Sequence, residues 1–115
     1  MNKIRNYIDG KLQAPINGSY MDLYNPANGE VYSQVPSSDI KDVEQAISAA
    51  EAAFEGWANT SIDERSRVLH KIADLIEANL DRLAVAESLD NGKPIWLAKR
   101  VDIPRASSNF RFFAQ

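Results

Sequence analysis

The hydrophobic period changes once along the chain, near Ser37, and this switch predicts a strand-hairpin arm over residues 1–36 followed by a helical layer over residues 37–115. In the arm, Asp9-Gly10 lies between Tyr7-Ile8 and Lys11-Leu12. Asp-Gly accepts the two successive positive φ values of a type I′ turn with little steric penalty, so a short hairpin is expected over residues 5–14. Two further turn clusters follow, Asn17-Gly18 and Asn25-Pro26-Ala27-Asn28-Gly29. The runs Tyr20 to Tyr24 and Glu30 to Val35 alternate, with Met21 and Leu23 on one and Val31, Ser33 and Val35 on the other, and both read as half-buried strands. Pro36 has no N–H to give a ladder and closes the second run.

Beyond Ser37 the spacing is helical. Val43, Ala46, Ile47, Ala50, Phe54 and Trp57 form one apolar stripe on a helix capped by Ser37, Ser38 or Asp39. Glu44, Ser48, Glu51 and Glu55 form its solvated face, and Gly56 is expected to end it. Ser61-Ile62-Asp63-Glu64 is a capping box that opens a second helix. Its apolar side is Val68, Leu69, Ile72, Ala73, Leu75 and Ile76, with Arg67, Lys71, Asp74 and Glu77 lying away from it. Asn79 is expected to cap a third helix carrying Leu80, Leu83, Ala84 and Leu89, and Gly92 with Pro94 supplies the stop. After the apolar run Ile95-Trp96-Leu97-Ala98 and Asp102-Ile103-Pro104, a last helix runs through Phe110, Phe112 and Phe113. The chain alone is therefore expected to be α+β, short strand hairpins followed by three to four helices.

Composition removes several kinds of chemistry. Zero cysteines exclude a disulfide framework, a thiolate metal site and a cysteine nucleophile, and a single histidine excludes histidine-rich metal sites. A formal charge of -3 argues against a nucleic-acid partner. No apolar run resembles a signal peptide or a membrane span, so no membrane partner is expected and the cytoplasm is the expected location. The five glycines, at positions 10, 18, 29, 56 and 92, are too far apart for a dinucleotide turn or a Walker loop. His70 reads as an exposed histidine on the polar side of the second helix, and Glu87 and Asp90 read as surface acids. Phe110, Phe112 and Phe113 read as core and not as a base-stacking platform. The residues themselves thus name no catalytic and no cofactor-binding group.

The order of the motifs says more. Tyr24-Asn25-Pro26-Ala27-Asn28-Gly29-Glu30-Val31 comes first, then the alanine-rich helix with Ala46, Ala50, Phe54 and Trp57. Arg65, Leu69 and Ile72-Ala73-Asp74-Leu75-Ile76-Glu77 follow, then Glu87-Ser88-Leu89-Asp90-Asn91-Gly92-Lys93-Pro94. In this register the whole chain resembles the N-terminal region of NAD(P)-dependent aldehyde dehydrogenases. Val101-Asp102-Ile103-Pro104-Arg105 and Asn109-Phe110-Arg111-Phe112-Phe113-Ala114 look most like the 2-aminomuconic and 2-hydroxymuconic semialdehyde branch.

The resemblance implies an α/β parent fold with a Rossmann-like cofactor domain, of which residues 1–36 and 37–115 would form one incomplete N-terminal part. It implies NAD or NADP as cofactor of the full-length parent and none for the piece alone. In the parent reaction a cysteine thiolate attacks the aldehyde, hydride passes to the nicotinamide and a glutamate activates water. The positions that would carry those steps have no match here. The resemblance also implies a monovalent-cation site at Leu23, Tyr24 and the Asp102 carboxylate, against a plainer reading of Asp102 as a helix N-cap before Ile103-Pro104. Two roles remain open. The chain is either the N-terminal piece of an aldehyde dehydrogenase, with the rest of that chain as partner, or an independent non-catalytic module that self-associates or binds a partner through its apolar stripes.

Overall fold

The computed structural model describes residues 2–115, which form two compact units, the first ending at Asn59 and the second running from Thr60 to Gln115. Together they hold two small antiparallel hairpins and a set of helices, an α+β content in agreement with the pattern of the sequence.

In the first unit, β1 (Asn6–Ile8) pairs with β2 (Lys11–Gln13), with Tyr7 opposite Leu12. Asp9 at φ 51° and Gly10 at φ 73° form the connection, the double positive φ that Asp-Gly was expected to supply. β3 (Tyr20–Tyr24) pairs with β4 (Val31–Pro36), and the register slips between Leu23 and Tyr24. The slip leads into a turn held by asparagine side chains: Asn25 Oδ1 accepts from the Ala27 N–H at 3.0 Å and Asn28 Oδ1 from the Glu30 N–H at 3.0 Å. Residues ahead of β1 add a parallel bridge that no sequence period announces. Lys3 lies beside Gln34, and the Ile4 N–H donates to the Gln34 carbonyl at 2.8 Å. Pro36 is the last residue of β4, opposite Tyr20.

Helix α1 (Ile40–Ala58) starts at Asp39, one of the three expected caps. The capping box is here: Asp39 accepts from the Lys41 N–H, and Asp42 Oδ2 returns a bond from the Asp39 N–H at 3.1 Å. Gly56 does not end the helix, which runs to Ala58 with Asn59 as its cap. One glycine among good helix formers is tolerated when its φ stays helical. The apolar stripe of α1 is largely exposed, with Phe54 70% accessible, while Ile8, Pro15, Ser33 and Asp42 are buried.

The second unit begins with α2 (Ile62–Ala78), capped by Ser61, whose Oγ accepts from the Glu64 N–H at 3.1 Å. α3 (Leu80–Asn91) follows directly and ends at Gly92, which takes the left-handed conformation at φ 76°. A single turn, α4 (Ile95–Leu97), runs into a π turn over Ala98–Asp102 and then into α5 (Ile103–Ala114). α2 and α5 form the main helix pair of this unit. Its buried positions are small, Ala73, Ala84, Ala98, Ser107 and Ala114, which lets helix backbones approach closely.

Several expectations are corrected here. Asn79 does not cap α3 with its side chain; its Nδ2 donates to the Leu75 carbonyl at 2.8 Å and so closes α2. With no gap between the helices, the nearer unsatisfied group is the carbonyl behind it. Asp102 is not an N-cap in the ordinary sense, because its backbone is helical and the π turn carries the chain through it. Phe112 and Phe113 are exposed, not core. α5 buries Ser107 and Ala114, with Phe110 half-buried, leaving the two adjacent rings on its other side in a T-shaped contact at 5.1 Å.

Candidate functional site

The polar clusters are where this chain could do chemistry, and each is tied to a particular element. In the first unit the only carboxylate with almost no exposure among the described residues is Asp42, at 2%. Its Oδ1 accepts from the Ile16 N–H at 3.0 Å while Oδ2 accepts from the Asp39 N–H. One side chain thus pins the segment after β2 to the first turn of α1. Asn6 to Ser38 and Gln13 to Gln45 reinforce the same join, both at 2.8 Å. A shallow groove of about 210 Å³ runs beside it, lined by Asn6, Tyr7, Ser38 and Val43. Within it Asn6 Nδ2 donates to Ser38 Oγ, and Asp42 is occupied by backbone N–H groups.

In the second unit, Arg111 on α5 forks onto α2. Its Nη2 lies 2.8 Å from Asp74 Oδ1 and 2.9 Å from Glu77 Oε2, and its Nε donates to Glu77 Oε1 at 3.1 Å. The buried Ser107 hydroxyl donates to the same Glu77 oxygen. His70 Nδ1 stands 3.5 Å from Arg111 Nη1. Asp74 and Glu77 remain more than half exposed, as their place away from the apolar side implies, and His70 is half-buried; residues 70, 74 and 77 recur at i, i+4 and i+7, which brings all three within reach of Arg111 on α5. The hydrogen bond from Arg111, followed by that from Ser107, holds the Glu77 carboxyl below its ordinary range, and Glu77 and Asp74 in turn push the Arg111 guanidinium further up. The Glu77 carboxylate, accepting from both Arg111 and Ser107, joins α5 to α2.

The expected cation residues fall on separate elements. Leu23 and Tyr24 flank the register slip in β3 of the first unit. Asp102 lies in the π turn of the second, where its Oδ2 meets Lys93 Nζ at 2.7 Å. An ammonium therefore already neutralises this carboxylate, and no group of three or more His, Cys, Asp or Glu among the described residues could hold a metal ion. Glu87 is a structural acid, accepting from Asn91 Nδ2 at 2.8 Å. No helix among the described residues is long and apolar enough to cross a membrane.

The motif-bearing segments have clear structural jobs. Tyr24 to Val31 forms the slip and turn between β3 and β4, and Asp90 to Pro94 forms the left-handed end of α3. The model of the aldehyde dehydrogenase family matches residues 14–115. The chain belongs to the aldehyde dehydrogenase family. Among its relatives, a 2-aminomuconic semialdehyde dehydrogenase of Bos taurus is 53% identical over 111 residues, which are 96% of this chain and 22% of that protein. An acetaldehyde dehydrogenase 2 of Cupriavidus necator is 48% identical, again over 95% of this chain and 22% of the relative. An aldehyde dehydrogenase from Bacillus cereus, solved as an NAD+ complex, superposes with a TM-score of 0.95 at 37% identity, over 98% of this chain and 23% of that one. This aldehyde dehydrogenase chain thus spans about 22% of the length of the curated relatives it matches, at their N-terminal part. It contains no cysteine and cannot itself provide a thiolate.

Proposed function

We propose that this chain is the N-terminal portion of an NAD(P)-dependent dehydrogenase that oxidises a small semialdehyde to its acid, and that it contributes scaffold to that enzyme without supplying its reacting groups. The observation that carries the reading is the match to a 2-aminomuconic semialdehyde dehydrogenase over 96% of this chain but 22% of the relative. The polar clusters support it, since they bond to other groups of the same chain and join one element to another. The partner of the exposed stripes on this reading is the remainder of the same polypeptide, NAD or NADP binds to that remainder, and the enzyme works in the cytoplasm. A monovalent cation at Leu23, Tyr24 and Asp102 belongs to the same proposal, with Lys93 sharing the Asp102 carboxylate.

The test is the coding sequence downstream of Gln115, followed by assay of the enzyme it encodes. An open frame containing a nucleophilic cysteine, with kcat/KM favouring 2-hydroxymuconic semialdehyde over betaine aldehyde, is the expected result. Preference for betaine aldehyde would remove the semialdehyde assignment and leave the dehydrogenase. The second reading, an independent module that self-associates or binds a partner, is favoured by the exposure of Phe54, Phe112 and Phe113. A stop codon after Gln115 in the intact gene would support it.

A further inference from the structure

The π turn between α4 and α5 is the least ordinary piece of backbone in the chain. The Ile103 N–H reaches past the usual acceptor to the Ala98 carbonyl, five residues back. Pro104 stands immediately after it. In an unbroken α-helix the ring of Pro104 would press on the carbonyl of Arg100 and leave that carbonyl without its N–H partner. Widening the preceding turn by one residue moves the carbonyl aside, so the proline gives a physical cause for the π register.

Two ion pairs of opposite polarity then tie this turn to the two ends of α3. Lys99, on the turn, meets Asp81 in the first turn of α3 at 2.7 Å. Asp102, at the other end of the turn, meets Lys93 just beyond the left-handed end of α3, also at 2.7 Å. Lys93 is itself placed by that end: its N–H donates to Asn91 Oδ1 at 2.8 Å, and its carbonyl accepts from the Ser88 hydroxyl. Reversing the register by one residue would rotate α4 by about 100° about the helix axis relative to α5. Trp96, exposed on α4, would change its direction with it.

We infer that residues 98–102 form a register latch: Pro104 selects the widened turn, and the Lys93–Asp102 and Lys99–Asp81 pairs hold it against α3. The latch is electrostatic and partly exposed, with Lys93 and Asp102 at 32% and 27% side-chain accessibility, so salt loosens it. Trp96 is the group whose direction it fixes.

Amide hydrogen exchange of the chain, read residue by residue and referenced to α2 amides in the same sample, tests this. In about 1 M NaCl, amides of residues 98–103 are expected to exchange about three- to tenfold faster relative to α2 than at low salt. The double variant K93M/K99M should show the faster exchange already at low salt, and K93R/K99R should restore protection. P104A should return the Ile103 bond to Lys99 and abolish the salt response. Salt-independent exchange in the unaltered chain, unchanged protection in K93M/K99M, or a π turn persisting in P104A would each overturn the inference. Should K93M/K99M fail to fold, the salt response of the unaltered chain decides.

Discussion

Asp42 and Glu77 are both carboxylates, yet they serve different joins and respond to different perturbations. Asp42 is buried and accepts two backbone N–H groups, so Asp42→Ala leaves two donors stranded, a loss of about 1–3 kcal/mol in unfolding free energy. Denaturant unfolding checks this, and faster exchange of the Ile16 amide should accompany it; an unchanged midpoint would show that the two bonds contribute nothing. Glu77 is governed by pH. Its carboxyl is held below the ordinary range when folded, so its contribution is full above the unfolded-state value and disappears as pH falls through the lower folded one. Melting temperatures of the unaltered chain and of Glu77→Gln should differ at neutral pH and converge only in acid below the usual carboxylate range. Convergence at higher pH would mean that Arg111 does not hold Glu77 ionised.

These roles were poorly legible in the sequence, and the reason is physical. A helical period assigns faces by polarity, which places Asp74 and Glu77 toward solvent, where they are, but cannot show that Arg111 on a distant element bridges them. Local turn chemistry, by contrast, is self-contained. Asp9-Gly10 and Gly92 encode their positive φ values without help from the rest of the chain, and the hairpin and the end of α3 fall where those residues put them.

Elements reveal the same division between local and long-range determinants. β1 and β2 were legible from their Asp-Gly turn, β3 and β4 from alternation, and α1, α2, α3 and α5 from period 3.6, all properties of a short window, whereas the single turn α4 read only as an apolar run. Gly56 misled because a glycine inside a helix and a glycine after it look alike in sequence. Its backbone is not left-handed and a Cβ there meets nothing within 4 Å, so Gly56→Ala should stabilise α1 by about 0.5–1 kcal/mol. Gly10 has equally open surroundings but φ +73°, and Gly10→Ala should destabilise the hairpin by about 1 kcal/mol. Thermal melts of the two variants should move in opposite directions; a shared direction would refute the assignment of their roles. The π turn was invisible because its acceptor choice depends on Pro104 and on pairs reaching α3.

At the scale of the whole molecule, the apolar stripe of α1 and the paired rings of Phe112 and Phe113 stand in water in this chain. Each large apolar side chain left exposed forgoes about 1.5–3 kcal/mol of burial. Sedimentation across a dilution series should therefore show self-association, and a sharp monomer at every concentration with a cooperative melt would contradict that expectation. The family motifs were legible as words in order, and in the structure they form the slip and turn between β3 and β4 and the left-handed end of α3. The chain belongs to the aldehyde dehydrogenase family, and the proposal is that it contributes scaffold without the reacting groups. Its most direct test is NAD+ reduction by the purified chain in the presence of 2-hydroxymuconic semialdehyde. No NADH formation is the predicted result, whereas aldehyde-dependent NADH formation, with contaminating enzyme excluded, would contradict the account.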